Sequence, residues 1–354
     1  MRKRRCLMPA LAVVAGLALV GSGCGDDVAS SASTTASSEE TAQRPGIPTP
    51  EASTLEELLA IERPVVVGHA GGDRSWPHST MFGFHEAARS GADVLEMDVQ
   101  LTGDGVLVVH HDDTVDATTG TTGRVRELTY DELQALDSGY WWSDDLGDRS
   151  RPEAEYSYRG VRTGAVEPPE GYAADDFRVE TFRAVAEAFP DHVLDVEIKV
   201  PRGDDGEDDV EFAIEAARVL AAEIEELGRS DSVVVVSFDD EVIAAFHELA
   251  PDVPTSPGTN ALPAWFLEGA ALLPSDRILQ IPPDFDGIDV LALDGFLEQA
   301  QQEGLSIWVW PNDASTQENP DFYEELLEFD IDGVIAGHPD QAVERYRELG
   351  LTPT

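Results

Sequence analysis

Cysteine and positive charge are both scarce in this sequence of 354 residues. Its two cysteines, Cys6 and Cys24, precede the region that we expect to fold. A disulfide framework or a cysteine metal site is therefore excluded from that region. Lysine and arginine together number 23 against 70 acidic residues, which gives a net charge of -47. Because binding to nucleic acid or to an anionic membrane surface depends on basic patches, this balance argues against both.

The N-terminus has the layout of an export signal. Residues 2–5 are basic, and the apolar run from Leu7 to Val20 is about 14 residues long, short of the ~20 that span a bilayer. Small residues then lead to Cys24, which resembles the lipidated cysteine of the bacterial lipobox, although Gly21 stands where Leu is usual. We predict a lipoprotein signal peptide over residues 1–23. The protein would be exported and anchored to the cell membrane through a lipid on Cys24, facing the extracytoplasmic side.

Two further regions come after the signal. Residues 24–51 are rich in Ser, Thr, Ala and acidic residues and then in Pro, which predicts a flexible tether. Residues 52–354 form the predicted folded domain, which is long enough for one large core.

Short β-rich runs alternate with helical stretches throughout this domain, which favours a parallel sheet with crossover helices. About eight such units predict an α/β fold of the TIM-like (β/α)8 type. A doubly wound open sheet is the alternative, although no Gly-x-Gly-x-x-Gly motif follows the first strand. The clear strand runs are 65–67, 94–99, 106–109, 193–198, 233–236, 307–310 and 333–335, with weaker candidates at 253–256, 278–281 and 290–293.

The alternation is interrupted after the second strand. Only a turn at residues 102–105 separates the second run from the third, so we expect a hairpin and an irregular barrel on that side. A long acidic insertion with several aromatic residues comes next, at 113–180. Loops of this length are usually functional or disordered, so we expect a lid over the site, with a surface loop as the alternative.

Polar side chains end the early strands, which is where barrels carry their chemistry. They are His69, Glu96, Asp98, His111, Glu197 and Lys199. Residues two apart on a strand face the same side, so Glu96 accompanies Asp98 and Glu197 accompanies Lys199. Converging carboxylates need a cation, and an all-oxygen set suits Ca²⁺ or Mg²⁺. Two histidines beside it could divide the transfer of protons.

The motifs around these residues resemble those of the glycerophosphodiester phosphodiesterase family. The family pattern includes His-Arg-Gly, Pro-Glu-Asn-Thr, Gly-Ala-Asp, Glu-x-Asp-Val, Val-x-His-Asp and Glu-Ile-Lys. The matching stretches here are 68–71, 77–80, 91–99, 109–112 and 197–199, and the resemblance extends over about residues 64–345. The block from Gly91 to Asp112 is the most specific part.

The resemblance implies a TIM barrel that hydrolyses glycerophosphodiesters, small-molecule substrates, to glycerol 3-phosphate and an alcohol with Ca²⁺ or Mg²⁺. It implies His69 and His111 as the acid–base pair. It further implies Glu96, Asp98 and Glu197 as metal ligands and Lys199 as a phosphate contact. Either Trp308 or Trp310 would line the glycerol pocket, with core packing as the alternative for both.

Two departures from the family pattern fall in the substrate pocket. The family Arg after the first His is Ala70, and the Glu and Asn of Pro-Glu-Asn-Thr are His78 and Ser79. Arg74, on the same loop, is a candidate to replace the missing guanidinium. Two other functions therefore remain open: a related barrel enzyme that cleaves larger lipid or cell-wall phosphodiesters, or a non-catalytic ligand-binding barrel.

Overall fold

A computed structural model describes residues 44–143 and 149–352. The predicted signal peptide, the lipidation site Cys24 and most of the predicted tether lie outside the described residues. The tether was predicted to reach residue 51, but its described part packs on the domain: Arg44 pairs with Asp176, and Ile47 contacts the main core. Within the described ranges, no helix has both the length and the apolar character needed to cross a membrane.

The domain contains one large sheet and a small hairpin. Its strands, in chain order, are β1 Val65–Gly68, β2 Val94–Leu101, β3 Leu107–Val109, β4 Val193–Ile198, β5 Val233–Val236, β6 Ile278–Ile281, β7 Asp284–Phe285, β8 Ile288–Asp289, β9 Ser306–Val309 and β10 Gly333–Ala336. Every clear strand run of the sequence is confirmed. Of the weaker candidates, 278–281 forms β6, whereas 290–293 is wrong, since Val290 to Leu293 lie in a bend and turn before a helix.

The large sheet closes into a barrel of parallel strands. Its order is β5-β4-β2-β1-β10-β9-β6, and Thr255 links the two ends by pairing in parallel with Val235 beyond β5 and with Asp276 before β6. The weak run at 253–256 is therefore the closing element. Each parallel member neighbours the next one along the chain, as in a TIM barrel. The predicted hairpin is also confirmed, because β3 pairs antiparallel with the C-terminal end of β2.

Helices connect most of the strands, and polar residues cap many of them. The helices are α1 Leu55–Leu58, α2 Met81–Ser90, α3 Tyr130–Leu133, α4 Phe182–Ala188, α5 Val210–Leu227, α6 Asp240–Leu249, α7 Ala261–Pro263, α8 Phe296–Glu303, α9 Ala314–Gln317, α10 Pro320–Glu325 and α11 Pro339–Glu348. The side chains of Thr80, Thr181 and Asp209 accept hydrogen bonds from the first turns of α2, α4 and α5, which fixes where those helices begin.

The lower interior of the barrel is filled and closed. Valine and isoleucine side chains from the strands meet around Trp308, and Leu55 and Leu58 of α1 pack against this cluster from below. The Leu55 amide donates to the Asp231 carbonyl at 2.8 Å, which holds α1 on the barrel end that precedes β5. The interior is consequently open only towards the carboxyl ends of the strands.

The insertion at 113–180 forms its own small cores beside the barrel. Phe82 of α2 stacks on Phe177, and the Arg159 guanidinium lies over the rings of Tyr140 and Trp141. None of its described residues lines the large cavity at the barrel mouth. The prediction of a lid is therefore wrong for the described part of the insertion, because its aromatic residues are engaged in packing against each other and α2.

His192, just before β4, gives the fold a measurable pH dependence. Burial lowers the pKa of this histidine from 6.5 to about 4. The unfolded chain then takes up a proton more readily than the native one, so this contribution to stability is complete above pH 6.5 and is lost as the pH falls towards 4. We expect His192→Phe, which keeps a ring against Phe189, to reduce the loss of unfolding free energy between pH 7 and pH 5 by about 2 kcal/mol. Urea unfolding at both pH values measures this; parallel losses in wild type and variant would contradict it.

Candidate active site

A tight turn places His69 at the mouth of the barrel. The chain leaves β1 at Gly68 and enters a single 3-10 turn, His69–Gly71, in which Ala70 has φ 45° and Gly71 has φ 78°. A Cβ on Gly71 would lie 2.9 Å from the Phe84 amide nitrogen, so only glycine fits there. The turn also directs the Ala70 amide at Glu96, which accepts its hydrogen bond. The loop that carries the histidine is thus attached to the acidic strand beside it.

Asp73 is the carboxylate partner of His69. Its Oδ1 lies 3.3 Å from Nδ1 of the histidine. Burial of the ring opposes protonation, but Asp73 and Glu96 outweigh it and raise the pKa of His69 well above its usual range. The carbonyl of Asp73 accepts a hydrogen bond from Trp142 Nε1 at 3.1 Å, which is how the insertion supports the site.

His111 has a similar arrangement at the end of β3. Its Nδ1 lies 2.7 Å from Asp112 Oδ1, and this hydrogen bond raises the pKa of His111. Gln100 of β2 donates to the carbonyl oxygens of His110 and Asp112 at 2.9 and 2.8 Å, which fixes the loop around His111. His110 turns aside, with Nε2 3.2 Å from the Thr114 carbonyl.

Four carboxylates face one another across β2 and β4. In the parallel register, Glu96 lies opposite Asp195 and Asp98 opposite Glu197. Asp98 is only 1% exposed, and neither of its oxygens accepts a hydrogen bond within the described structure. Asp195 is fully buried and accepts from Gln280 Nε2 at 2.8 Å on both oxygens. Such a density of buried acid is costly unless positive charge accompanies it.

Lys199 lies within this cluster and pairs with two of its carboxylates. Its Nζ lies 3.3 Å from Asp98 Oδ1 and 2.9 Å from Glu197 Oε1. Lys3 is the only other lysine of the chain. Burial opposes the charge of Lys199, but Asp98 and Glu197 outweigh it and raise the pKa of the ammonium group. Lys199 therefore neutralises part of the four-carboxylate cluster, and His69 and His111 lie beside it with raised pKa values.

The pKa values of the four carboxylates show how far Lys199 compensates their negative charge. Burial and then Asp98 raise the pKa of Glu96 well above its usual range, and burial raises the pKa of Asp195 to about 7. Burial also raises the pKa of Glu197. For Asp98, Lys199 and His111 outweigh burial, and its pKa is lowered. The four carboxylates therefore carry more negative charge than Lys199 alone neutralises.

Donor chemistry and unsatisfied Asp98 oxygens both fit a hard divalent cation. Nevertheless, among the residues that the structure describes, no three His, Asp, Glu or Cys side chains are already spaced to hold a metal ion. Lys199 lies between two of the predicted ligands. The predicted ligands are brought together on adjacent strands, and a metal bound by them remains a prediction.

One cavity of about 640 Å³ opens over this cluster. Most of the predicted residues line it: His69, Arg74, Glu96, His111, Glu197, Lys199 and Trp310. Asp98 lies beneath the surface of the cavity. Trp308 is a correction: it is 1% exposed and packs in the lower barrel core, because it sits within β9 rather than beyond its end. Trp310, two residues further on, lines the cavity mouth.

Several residues of the site were not predicted. Asp73 could have been found from its spacing, four residues after His69. Glu318, which also lines the cavity, accepts from the Gly337 amide at 3.0 Å. At Gly337 a Cβ would lie 2.5 Å from Asp73 Oδ1 and from Arg74 Cγ, so a glycine there allows the two loops to meet. The apolar wall of the cavity comes from Phe238 and from mostly irregular segments between residues 257 and 296, which carry no periodic signal.

The fold and the mouth residues define a (β/α)8-barrel protein with a two-histidine, multi-carboxylate site. The family model for the glycerophosphoryl diester phosphodiesterase family matches residues 69–341. The chain belongs to this family.

Individual relatives agree with this assignment. A glycerophosphodiester phosphodiesterase of Bacillus subtilis is 25% identical over 82% of this chain and 88% of its own length. A glycerophosphodiester phosphodiesterase structure from Agrobacterium tumefaciens has a TM-score of 0.57 at 22% identity, covering 79% of this chain and 99% of its own. A phosphodiesterase from Oleispira antarctica, in complex with its product sn-glycerol-3-phosphate, has a TM-score of 0.59 at 20% identity and covers 80% of this chain and 97% of its own.

The charge balance of the site can be tested through stability. Lys199→Met leaves Asp98 and Glu197 without their cation, and breaking a buried ion pair costs about 3–5 kcal/mol. We expect a loss of that order in the unfolding free energy, measured by urea denaturation at pH 7 in EDTA. Arg347→Met, which breaks an exposed pair with Glu344, should change it by less than about 1 kcal/mol. Equal effects of the two substitutions would show that the lysine does not balance the acids.

Proposed function

We propose that this protein hydrolyses glycerophosphodiesters to glycerol 3-phosphate and an alcohol. The observation that carries the proposal is the convergence of two carboxylate-paired histidines and a buried acidic cluster on one cavity. Family membership and the named activity of the Bacillus relative support it. The product in the Oleispira structure supports the same substrate class for a protein of this fold.

The two histidines divide the proton transfers in this proposal. Each is engaged at Nδ1 by an aspartate, His69 by Asp73 and His111 by Asp112, which assigns Nε2 to the reacting atoms. One histidine takes a proton from the nucleophile and the other donates a proton to the leaving alcohol oxygen. The carboxylates hold the rings and stabilise their charged forms.

Glu96, Asp98 and Glu197 would hold Ca²⁺ or Mg²⁺. Support comes from the buried Asp98, whose Oδ2 has no hydrogen-bond partner among the described residues, and from the raised pKa values of Glu96 and Glu197. A bound cation supplies charge that polarises a phosphoryl oxygen. Lys199 and Arg74 would contact the phosphate, with Arg74 in place of the guanidinium absent at Ala70, whose side chain is buried away from the cavity. Trp310 would lie against the glycerol.

The cellular setting is a separate proposal that rests on the N-terminal sequence. A lipid on Cys24 would hold the domain at the outer face of the cell membrane, with the chain before residue 44 as the tether. The acidic surface supports a small-molecule substrate rather than nucleic acid.

The proton roles predict a large loss of turnover. We expect His111→Ala and His69→Ala each to lower kcat on glycerophosphocholine by about 10²–10⁴-fold, the usual contribution of a general acid or base. Release of choline measures this. His247→Ala is the control, since His247 lies outside the cavity, against Ser275, and should retain activity. If the wild-type protein cleaved no diester, the proposed function would be refuted.

The metal proposal predicts a ligand-dependent gain in stability. We expect millimolar Ca²⁺ or Mg²⁺ to raise the melting temperature of the wild type over that in EDTA. A cation at one hundred times its Kd stabilises by about 2.7 kcal/mol. Asp98→Asn should abolish the shift, whereas Asp195→Asn, an equally buried acid outside the proposed ligand set, should keep it. Loss of the shift in both variants, or its absence in the wild type, would contradict the assignment.

A further inference from the structure

The cavity has two chemically different halves. Its floor is the charged site around His69, Glu197 and Lys199, whereas its outer wall is apolar. That wall is formed mainly by Phe238, Leu262, Phe266, Leu267, Phe285 and Ile288. A glycerophosphodiester of a small polar alcohol would contact the charged floor and leave the apolar wall exposed to water.

The wall is also where exposed apolar side chains concentrate. Leu267 is 74% exposed and Ile288 51% exposed, and Phe238 and Phe285 are similarly open. These four make up half of the large exposed hydrophobic residues on the described part of the chain. On a protein with a net charge of -47, an apolar patch around one cavity marks a binding surface rather than a random feature.

Defined elements hold the wall in place on two sides. The β7–β8 hairpin pairs Phe285 with Ile288 across a turn, and Asn312 Nδ2 donates to the Asp284 carbonyl at 2.6 Å, which ties the hairpin to the loop after β9. On another side, a π-helical turn, Ala264–Glu268, carries Phe266 and Leu267. Phe266 packs edge-on against Phe296, with ring centroids 5.1 Å apart. The apolar surface is therefore preformed, as ligand pockets usually are.

Charge around the wall distinguishes between two kinds of apolar occupant. Asp284, Asp286 and Asp289 alternate with the apolar residues of the hairpin, and Glu268 follows Leu267. Inserting this rim into a membrane with anionic lipids would bring these carboxylates against like charge. Of these four acids, only Asp286 lines the cavity, so a single chain that enters it can lie mainly against apolar side chains. A cavity of about 640 Å³ lies within the range that holds one small-molecule ligand.

We propose that the substrate is a glycerophosphodiester that carries one acyl or alkyl chain, and that this chain lies along the wall from Phe238 to Ile288. This deepens the proposed function and rests on it. With lysophosphatidylcholine, water adds to phosphorus and the bond from phosphorus to the choline oxygen breaks. Choline leaves as the alcohol after gaining a proton, and the acylglycerol phosphate keeps the chain.

A chain-length series tests the proposal. The substrates are glycerophosphocholine and its hexanoyl, octanoyl, decanoyl and dodecanoyl lysophosphatidylcholines, each kept monomeric, with choline release as the readout. We expect kcat/KM of the wild type to rise by about two- to fourfold per methylene until the chain outgrows the wall. Leu267→Ser and Ile288→Ser lie at exposed positions that tolerate a polar residue. Each should reduce the rise of kcat/KM from the shortest to the longest chain at least severalfold. Leu249→Ser, 39% exposed at the end of α6 and outside the cavity, should leave its slope unchanged.

The outcomes separate this inference from the function beneath it. Cleavage of glycerophosphocholine with no gain from longer chains would overturn the single-chain proposal and leave the hydrolase intact. A gain that appears only on micelles or phosphatidylcholine vesicles would overturn it in favour of a rim that binds lipid surfaces. No cleavage of any diester would refute the proposed function itself.

Discussion

The site depends on keeping three buried acids and the partly buried Glu197 side by side on β2 and β4, with Lys199 between two of them. Parallel pairing of the two strands puts Asp98 opposite Glu197 and Glu96 opposite Asp195, so the backbone itself brings the like charges together. An isolated buried carboxylate is expensive, and each must find a proton, a donor or a cation. Gln280 donates to Asp195, the Ala70 amide donates to Glu96, and Lys199 pairs with both Asp98 and Glu197. The result is a cluster whose negative charge the surrounding groups compensate only in part.

The surrounding loops hold the two histidines over that charge. Left-handed backbone at Ala70 and Gly71 turns the chain sharply after β1, and the Ala70 amide fastens it to Glu96. Left-handed conformations in residues other than glycine cost about 1–2 kcal/mol, and they persist where surrounding contacts over-determine them. At His111, Gln100 performs the equivalent task through backbone carbonyls. The loops that carry both histidines are therefore held by groups of the acidic strand β2, whereas Asp73 and Asp112 engage the rings themselves.

Strong local patterns made the barrel and most of its site predictable from the sequence. Runs such as 94–99 and 193–198 are short and rich in apolar residues, and they led to the barrel, the β2–β3 hairpin and the meeting of Asp98 with Glu197. Depth along a strand was not predictable: Trp308 and Trp310 share a periodicity, yet one fills the core and the other lines the mouth. The prediction that the insertion forms a lid was wrong for a related reason, since aromatic content does not reveal which surface the rings pack against. The apolar wall lies in segments such as the β7–β8 hairpin, whose position is set by distant contacts like that of Asn312.

The closed lower end of the barrel governs how molecules pass through it. Trp308 fills the interior and α1 seals it from below, so the cavity is a blind chamber rather than a passage. Substrate, water and both products must enter and leave through the same opening. A product that dissociates slowly would block the next substrate molecule, and release of the larger product rather than bond cleavage would then limit the rate of turnover.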